Sequence, residues 1–138
     1  MTKVLLDTSI YVDWLNRGRR PELMLGQGFV RYLSAVVHME LRVGATTRPA
    51  RRGLDQLVHA YEAGGRLVTP SARMFADAAL ILQRLHSRGH EIRRASLVHD
   101  VLIALTARTL GATLHTTNAT DFEAIRNLRE FPLQIVTP

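Results

Sequence analysis

Four acidic residues stand at places where acids are unexpected. Asp7 ends the apolar run Val4-Leu5-Leu6 and is followed by Thr8-Ser9. Such a run, stopped by a polar cluster, reads as a short buried strand meeting its loop. Open α/β sheets place their ligands beyond the carboxyl ends of their strands. On a helical wheel, at about 100° per residue, Glu40 falls between Val36, Val37, Val43 and Gly44, with His38 and Arg42 opposite. That places an acid in the middle of an apolar stripe. Asp100 sits in the first turn of a helix, Leu97 to Leu110, that is apolar almost all round, beside Ile103, Ala104 and Ala107. Asp121 follows Thr116-Thr117-Asn118-Ala119-Thr120, a strand-end loop that feeds a short helix.

Each acid has an ordinary structural alternative. Asp7, Ser9 and Asp121 suit helix N-caps. Glu40 suits a buried ion pair with an arginine, and the helix dipole favours an acid at the position of Asp100. Taken together they point to chemistry. Carboxylate oxygen is the ligand that hard cations such as Mg²⁺ and Mn²⁺ prefer. Carboxylates converge only where a metal, a proton or a base offsets their repulsion. The chain has no Cys, which excludes a thiolate site and a disulfide framework. Two metals roughly 4 Å apart suit phosphodiester cleavage. The six His are scattered and receive no acid–base role, although His99 adjoins Asp100 and His115 lies near Thr116. Asp13 lies about a turn and a half into the first helix, where a cap or a surface pair explains it.

The elements that must position these acids alternate. Strands are predicted at Val4 to Leu6, Phe29 to Leu33, Leu67-Val68, Ala112 to Thr116 and Leu133 to Val136. Helices are predicted at Ser9 to Asn16, Pro21 to Leu25, Ser34 to Thr46 and Arg48 to Ala63. Two more run from Ser71 to Arg88, with Phe75, Ala78, Ala79, Leu82 and Leu85 inward, and from Ser96 to Gly111. A helical turn is expected over Thr120 to Ile125. Short apolar strands alternating with helices imply a parallel α/β sheet covered on both faces. The stretch Arg48 to Arg88 exceeds simple alternation and suggests a projecting helical hairpin, split by Leu67-Val68. At 138 residues the chain is read as one domain, 1–138, large enough for a core of its own. No apolar run approaches the roughly 18 residues of a membrane span, and Asp7 interrupts any signal-peptide pattern. The expectation is a soluble, cytoplasmic protein with no membrane partner.

Charge points to an anionic partner. Lys plus Arg number 18 against 12 Asp plus Glu, a net +6, and every basic residue but Lys3 is Arg. Arginine suits bidentate phosphate contacts, so Arg19, Arg20, Arg51, Arg52, Arg93 and Arg94 are candidate contacts to a nucleic acid, RNA on the resemblance given below, that would track the backbone without reading sequence. With one Trp, three Tyr and four Phe, a stacking platform for single strands is not evident.

Four blocks carry a resemblance. They are Leu5-Leu6-Asp7-Thr8-Ser9-Ile10-Tyr11-Val12-Asp13, Met39-Glu40-Leu41-Arg42-Val43-Gly44, His99-Asp100-Val101-Leu102-Ile103-Ala104, and Gly111 to Asn118 with Asp121-Phe122. In this order and spacing the chain resembles the PIN-domain ribonucleases, in particular the VapC-type toxins of bacterial toxin–antitoxin pairs. The resemblance implies a three-layer α/β/α sandwich around a short parallel sheet. It implies that Asp7, Glu40, Asp100 and Asp121 form an acidic Mg²⁺/Mn²⁺ site, supported by Thr8, Ser9, Thr116 and Asn118. It also implies an endoribonuclease, a VapB-like antitoxin partner and a homodimer. On this expectation Asp7 and Asp100 hold the better-occupied cation, and Glu40 and Asp121 complete the site or hold a second. The rival class is a catalytically silent PIN-like module that binds RNA or a regulatory partner. A receiver-type phosphoacceptor needs an adjacent acidic pair and a late Lys, and a haloacid-dehalogenase-type phosphatase needs a second Asp where Ser9 stands; both are set aside.

Overall fold

The computed structural model describes residues 1–138. Its centre is β1 (Thr2–Leu6), whose Val4, Leu5 and Leu6 have no solvent exposure. An uninterrupted apolar run suits a strand covered on both faces. Around it stand β2 (Phe29–Ser34), β3 (Leu67–Val68), β4 (Thr113–Thr116) and β5 (Leu133–Ile135). The strand order is β3-β2-β1-β4-β5 and every pairing is parallel. The chain therefore winds one way from β1 through β2 to β3, then returns to the other side of β1 for β4 and β5. The order reverses between β1 and β4.

Seven helices cover the sheet: α1 (Thr8–Arg17), α2 (Pro21–Leu25), α3 (Ala35–Gly44), α4 (Arg48–Ala63), α5 (Ala72–Ser87), α6 (Ala95–Leu110) and α7 (Ala119–Leu128). Right-handed crossovers put the helices of the two windings on opposite faces. Accordingly α3 packs on both α1 and α4, and α5, α6 and α7 pack on one another. This is the expected α/β/α sandwich. No helix is long and apolar enough to cross a membrane.

Several local expectations need correction. The stretch from Arg48 to Arg88 does not project as a hairpin. α4 packs on α3, β2 and β3, and α5 on α6 and α7, because β3 between them is a true edge strand of the sheet. In α5 the buried side chains are Met74, Ala78, Ile81 and Leu85, while Phe75 is 56% exposed; the apolar face is rotated by about one residue from the expected one. The helical turn near Thr120 is a full helix to Leu128, held by buried Phe122 and Ile125. Asp13 pairs with Arg20 at 2.5 Å, as a surface role predicts.

Candidate metal centre

The reversal point between β1 and β4 is the place where this class of sheet opens a crevice, and it is there that the acids gather. Asp7 follows β1 in extended backbone (φ −71°, ψ 161°) and occupies the N-cap position of α1, but its side chain makes no capping bond. Its Oδ2 instead accepts the Thr116 hydroxyl from the end of β4 at 2.7 Å and the Ser9 hydroxyl at 3.3 Å. Ser9 Oγ in turn accepts the Thr117 amide at 3.3 Å, tying the loops after β1 and β4 together. The cap reading of Asp7 is thereby excluded: the carboxylate faces the crevice. Asn118 is the true cap of α7, its Oδ1 accepting the Asp121 amide at 3.3 Å. Its amide group donates to Asp100 Oδ2 at 3.3 Å and to Asp121 Oδ2 at 3.1 Å, bridging two acids.

Glu40 enters from α3. Its Oε1 accepts the Thr8 hydroxyl at 2.8 Å, and its Oε2 lies 3.4 Å from His99 Nδ1. It has no arginine partner, so the ion-pair alternative fails. Its setting also differs from the expected stripe. The buried face of α3 is Val36, Val37 and Leu41, whereas Val43 is 77% exposed because the last turn lies at the surface. Glu40 stands at the margin of that face. Asp100 is in the second turn of α6, not the first, since the helix begins at Ala95; the helix dipole therefore explains it poorly.

Electrostatics divide the acids. Asp7, Asp100 and Asp121 are all buried. Burial raises the Asp7 carboxyl above the usual carboxylate range, against the hydrogen bond from Thr116. Asp100 is pushed up to about 9, first by burial and then by Asp7, Asp121 and Glu40. Asp121 moves the other way, held low chiefly by the Arg94 guanidinium, which donates to both carboxylate oxygens at 2.9 Å. The donors are all oxygen and two carboxylates carry poorly offset charge, which fits a hard divalent cation. No three of the acidic or imidazole groups are drawn together as a ready ligand set. A cavity of about 220 Å³ elsewhere, between Met24, Phe29, Leu57 and Tyr61 with Arg31 and Arg66, contains no carboxylate.

The sequence matches the PIN domain family over residues 4–128. This chain belongs to the PIN domain family. No curated protein matches it. Among solved structures, this PIN domain is similar to VapBC2 from Rickettsia felis, bound to a DNA fragment from the promoter, at TM-score 0.72 and 22% identity over 98% of this chain and 99% of that one. It is similar to VapBC-1 from nontypeable Haemophilus influenzae at TM-score 0.73 and 20% identity, over 97% and 98%. It is also similar to VapBC-5 of Mycobacterium tuberculosis, a member of the VapBC family of toxin–antitoxin systems, at TM-score 0.65 and 20% identity over the full length of both chains. At these identities the likeness establishes the fold.

Within the PIN domain, Thr8, Ser9, Thr116 and Asn118 each hydrogen-bond an acid of the crevice. Two further residues touch the site. His99 reaches Glu40, and its only sequence signal was adjacency to Asp100. Arg94, one of the candidate RNA contacts, instead grips Asp121 across 27 residues, a pairing with no local signal. Of the other candidate arginines, Arg20 is tied to Asp13 and the Thr137 carbonyl, and Arg51 to the Ala45 and Thr46 carbonyls after α3. Arg19, Arg52 and Arg93 are exposed. Thr116→Val keeps the shape of the PIN-domain core but removes the shortest donor to Asp7. We expect a loss of about 1 kcal/mol in urea denaturation and, for any divalent ion that Asp7 holds, a roughly 10- to 100-fold fall in affinity by isothermal titration. Unchanged affinity would mean that Asp7 needs no such support.

Proposed function

We propose that this PIN domain is a divalent-metal-dependent ribonuclease toxin that hydrolyses RNA phosphodiester bonds and is restrained by a VapB-like antitoxin. What supports the reading is the hydrogen bonding around one crevice, where Thr116 holds Asp7, Thr8 holds Glu40, and Asn118 bridges Asp100 and Asp121. Asp100 responds to all three of the others. Asp7 and Asp100 are the residues to hold a first Mg²⁺ or Mn²⁺, with Glu40 and Asp121 completing the shell or holding a second. A cation there supplies an activated water and charge stabilisation at the phosphorus. The chain itself needs no nucleophile. Thr116 and Ser9 fix the Asp7 carboxylate, Thr8 and His99 fix Glu40, and Asn118 spaces Asp100 from Asp121. The net +6 charge offsets the repulsion between the acids and an RNA backbone. The antitoxin reading draws on the likeness of the whole chain to proteins solved as VapBC, and a homodimer goes with it.

The test is cleavage of total RNA by the purified, antitoxin-free chain with Mg²⁺, with Mn²⁺ and with a chelator, alongside Asp7→Asn. Cleavage is expected only with metal, and at least about 100-fold weaker in the variant. Metal-independent cleavage, or full activity in Asp7→Asn, would overturn the proposal. No cleavage of any RNA would move the reading to a silent PIN-like binding module. The grip of Arg94 on Asp121 is the one feature that favours this second reading.

A further inference from the structure

We infer that Arg94 is a built-in counter-cation that withholds Asp121 from the metal centre until a substrate phosphate draws the guanidinium away. The inference rests on the metal-dependent reading above and concerns how that site is completed. Of the four acids, only Asp121 is paired with an arginine. The pairing is a two-pronged fork, with both guanidinium nitrogens at 2.9 Å from the two carboxylate oxygens. Such a fork is the strong form of charge-assisted hydrogen bond. Arginine keeps its charge at any working pH, so it leaves only by moving. While it stays, a divalent ion at Asp121 meets a like charge within contact distance.

The guanidinium is placed to move. Arg94 precedes α6 at its N-cap position and its side chain is 46% exposed. Its one other side-chain hydrogen bond is to Ser96 Oγ at 3.0 Å. A phosphate offers the same two-pronged acceptor as a carboxylate. An RNA phosphate at the crevice therefore exchanges partners with Asp121 and frees its oxygens. The carboxylate has no distance to travel, because Asn118 already holds it beside Asp100. Phosphate binding and cation binding at Asp121 are then coupled, and the coupling is reciprocal.

Mn²⁺ titration of the full antitoxin-free chain, read by electron paramagnetic resonance of the free ion, tests this without any turnover. Without RNA, Arg94→Gln is expected to bind Mn²⁺ about tenfold more tightly than the wild type, a gain that disappears in Arg94→Gln/Asp121→Asn. A ten-fold change is the scale of one charge-assisted pair. Arg94→Lys, which keeps the charge without the fork, should fall between. A phosphorothioate oligonucleotide of mixed sequence, blanked against the oligonucleotide alone, should tighten Mn²⁺ binding in the wild type and leave Arg94→Gln unchanged. Equal or weaker binding by Arg94→Gln, with its melting temperature intact, would overturn the inference and make Arg94 a clamp that positions Asp121. If the wild type binds no Mn²⁺, or Asp7→Asn binds it as well as the wild type, the metal reading itself fails. Those outcomes are distinct from a wild type that binds Mn²⁺ through Asp7 and is indifferent to Arg94.

Discussion

Asp100→Asn is expected to stabilise the metal-free protein while reducing RNA cleavage by at least about 100-fold. Asp100 is 6% exposed, and its carboxyl titrates at about 9 against an ordinary 3.8. Its folded-state pKa is therefore above its unfolded value. The stability that comes from the bound proton is complete below the unfolded pKa and is lost as pH rises through the folded one. In a chelator the wild-type melting temperature should thus fall between about pH 4 and pH 9. Asn carries no ionisable proton, and its carbonyl still accepts the Asn118 amide. It removes the buried charge and most of that slope; the raised Asp7 carboxyl leaves a smaller remainder. At pH 8 we expect a gain of about 1–3 kcal/mol, well below the full shift because water and relaxation screen the site. That corresponds to roughly 3–9 °C. Mn²⁺ should raise the wild-type melting temperature and leave the variant almost unmoved. A variant less stable than wild type at pH 8 in chelator would show that the charge is already compensated within the fold.

The second large effect lies next to the site. Phe122 has no solvent exposure and meets the Phe131 ring edge-to-face at 6.5 Å. It anchors α7, whose first turn carries Asp121 and whose cap is Asn118. Phe122→Ala should cost about 3–5 kcal/mol, a drop of roughly 10–15 °C in melting temperature for a chain of this size. Calorimetry and urea denaturation check it. The same variant should bind Mn²⁺ more weakly even where it remains folded, because Asp121 and Asn118 lose their platform. A cost under about 1 kcal/mol would mean that α7 closes over the gap.

What the sequence made legible follows from where the information is local. The boundaries of α4 and β3 could be read because Gly64-Gly65 ends the helix and the apolar pair Leu67-Val68 follows it. β1 could be read because burial on both faces leaves an uninterrupted apolar run. Asp7 could be suspected for the same reason, since a run that long ends at an acid for cause. Failures came where packing decides. A helical wheel of α3 puts Val43 with the core, although that side of the last turn faces solvent while Leu41 in the same turn is buried. Phe75 was placed inward because a sixteen-residue helix gives several near-equivalent faces, and contact with α6 selects among them. The sequence places the start of α6 at Ser96, but the helix begins at Ala95 with Arg94 in the N-cap position. Above all, the Thr116–Asp7 bond depends on β4 lying beside β1 and the Arg94–Asp121 fork on α7 packing against α6, and periodicity says nothing of either.

That strand order also fixes when the crevice can exist. β1 is made first, yet the partner that closes the Asp7 side, β4, lies more than 100 residues later, as the 109-residue span of the Thr116–Asp7 bond records. During synthesis the first strand can pair only with β2, and Asp7 stays open to water on its other side. Asn118 and Asp121 leave the ribosome later still. A growing chain therefore carries no assembled acid cluster until Asp121 has been made. Long-range closures of this kind are slow steps in folding. On the proposed ribonuclease reading, cleavage would begin only once β4 and α7 have joined β1, a restraint set by topology alone.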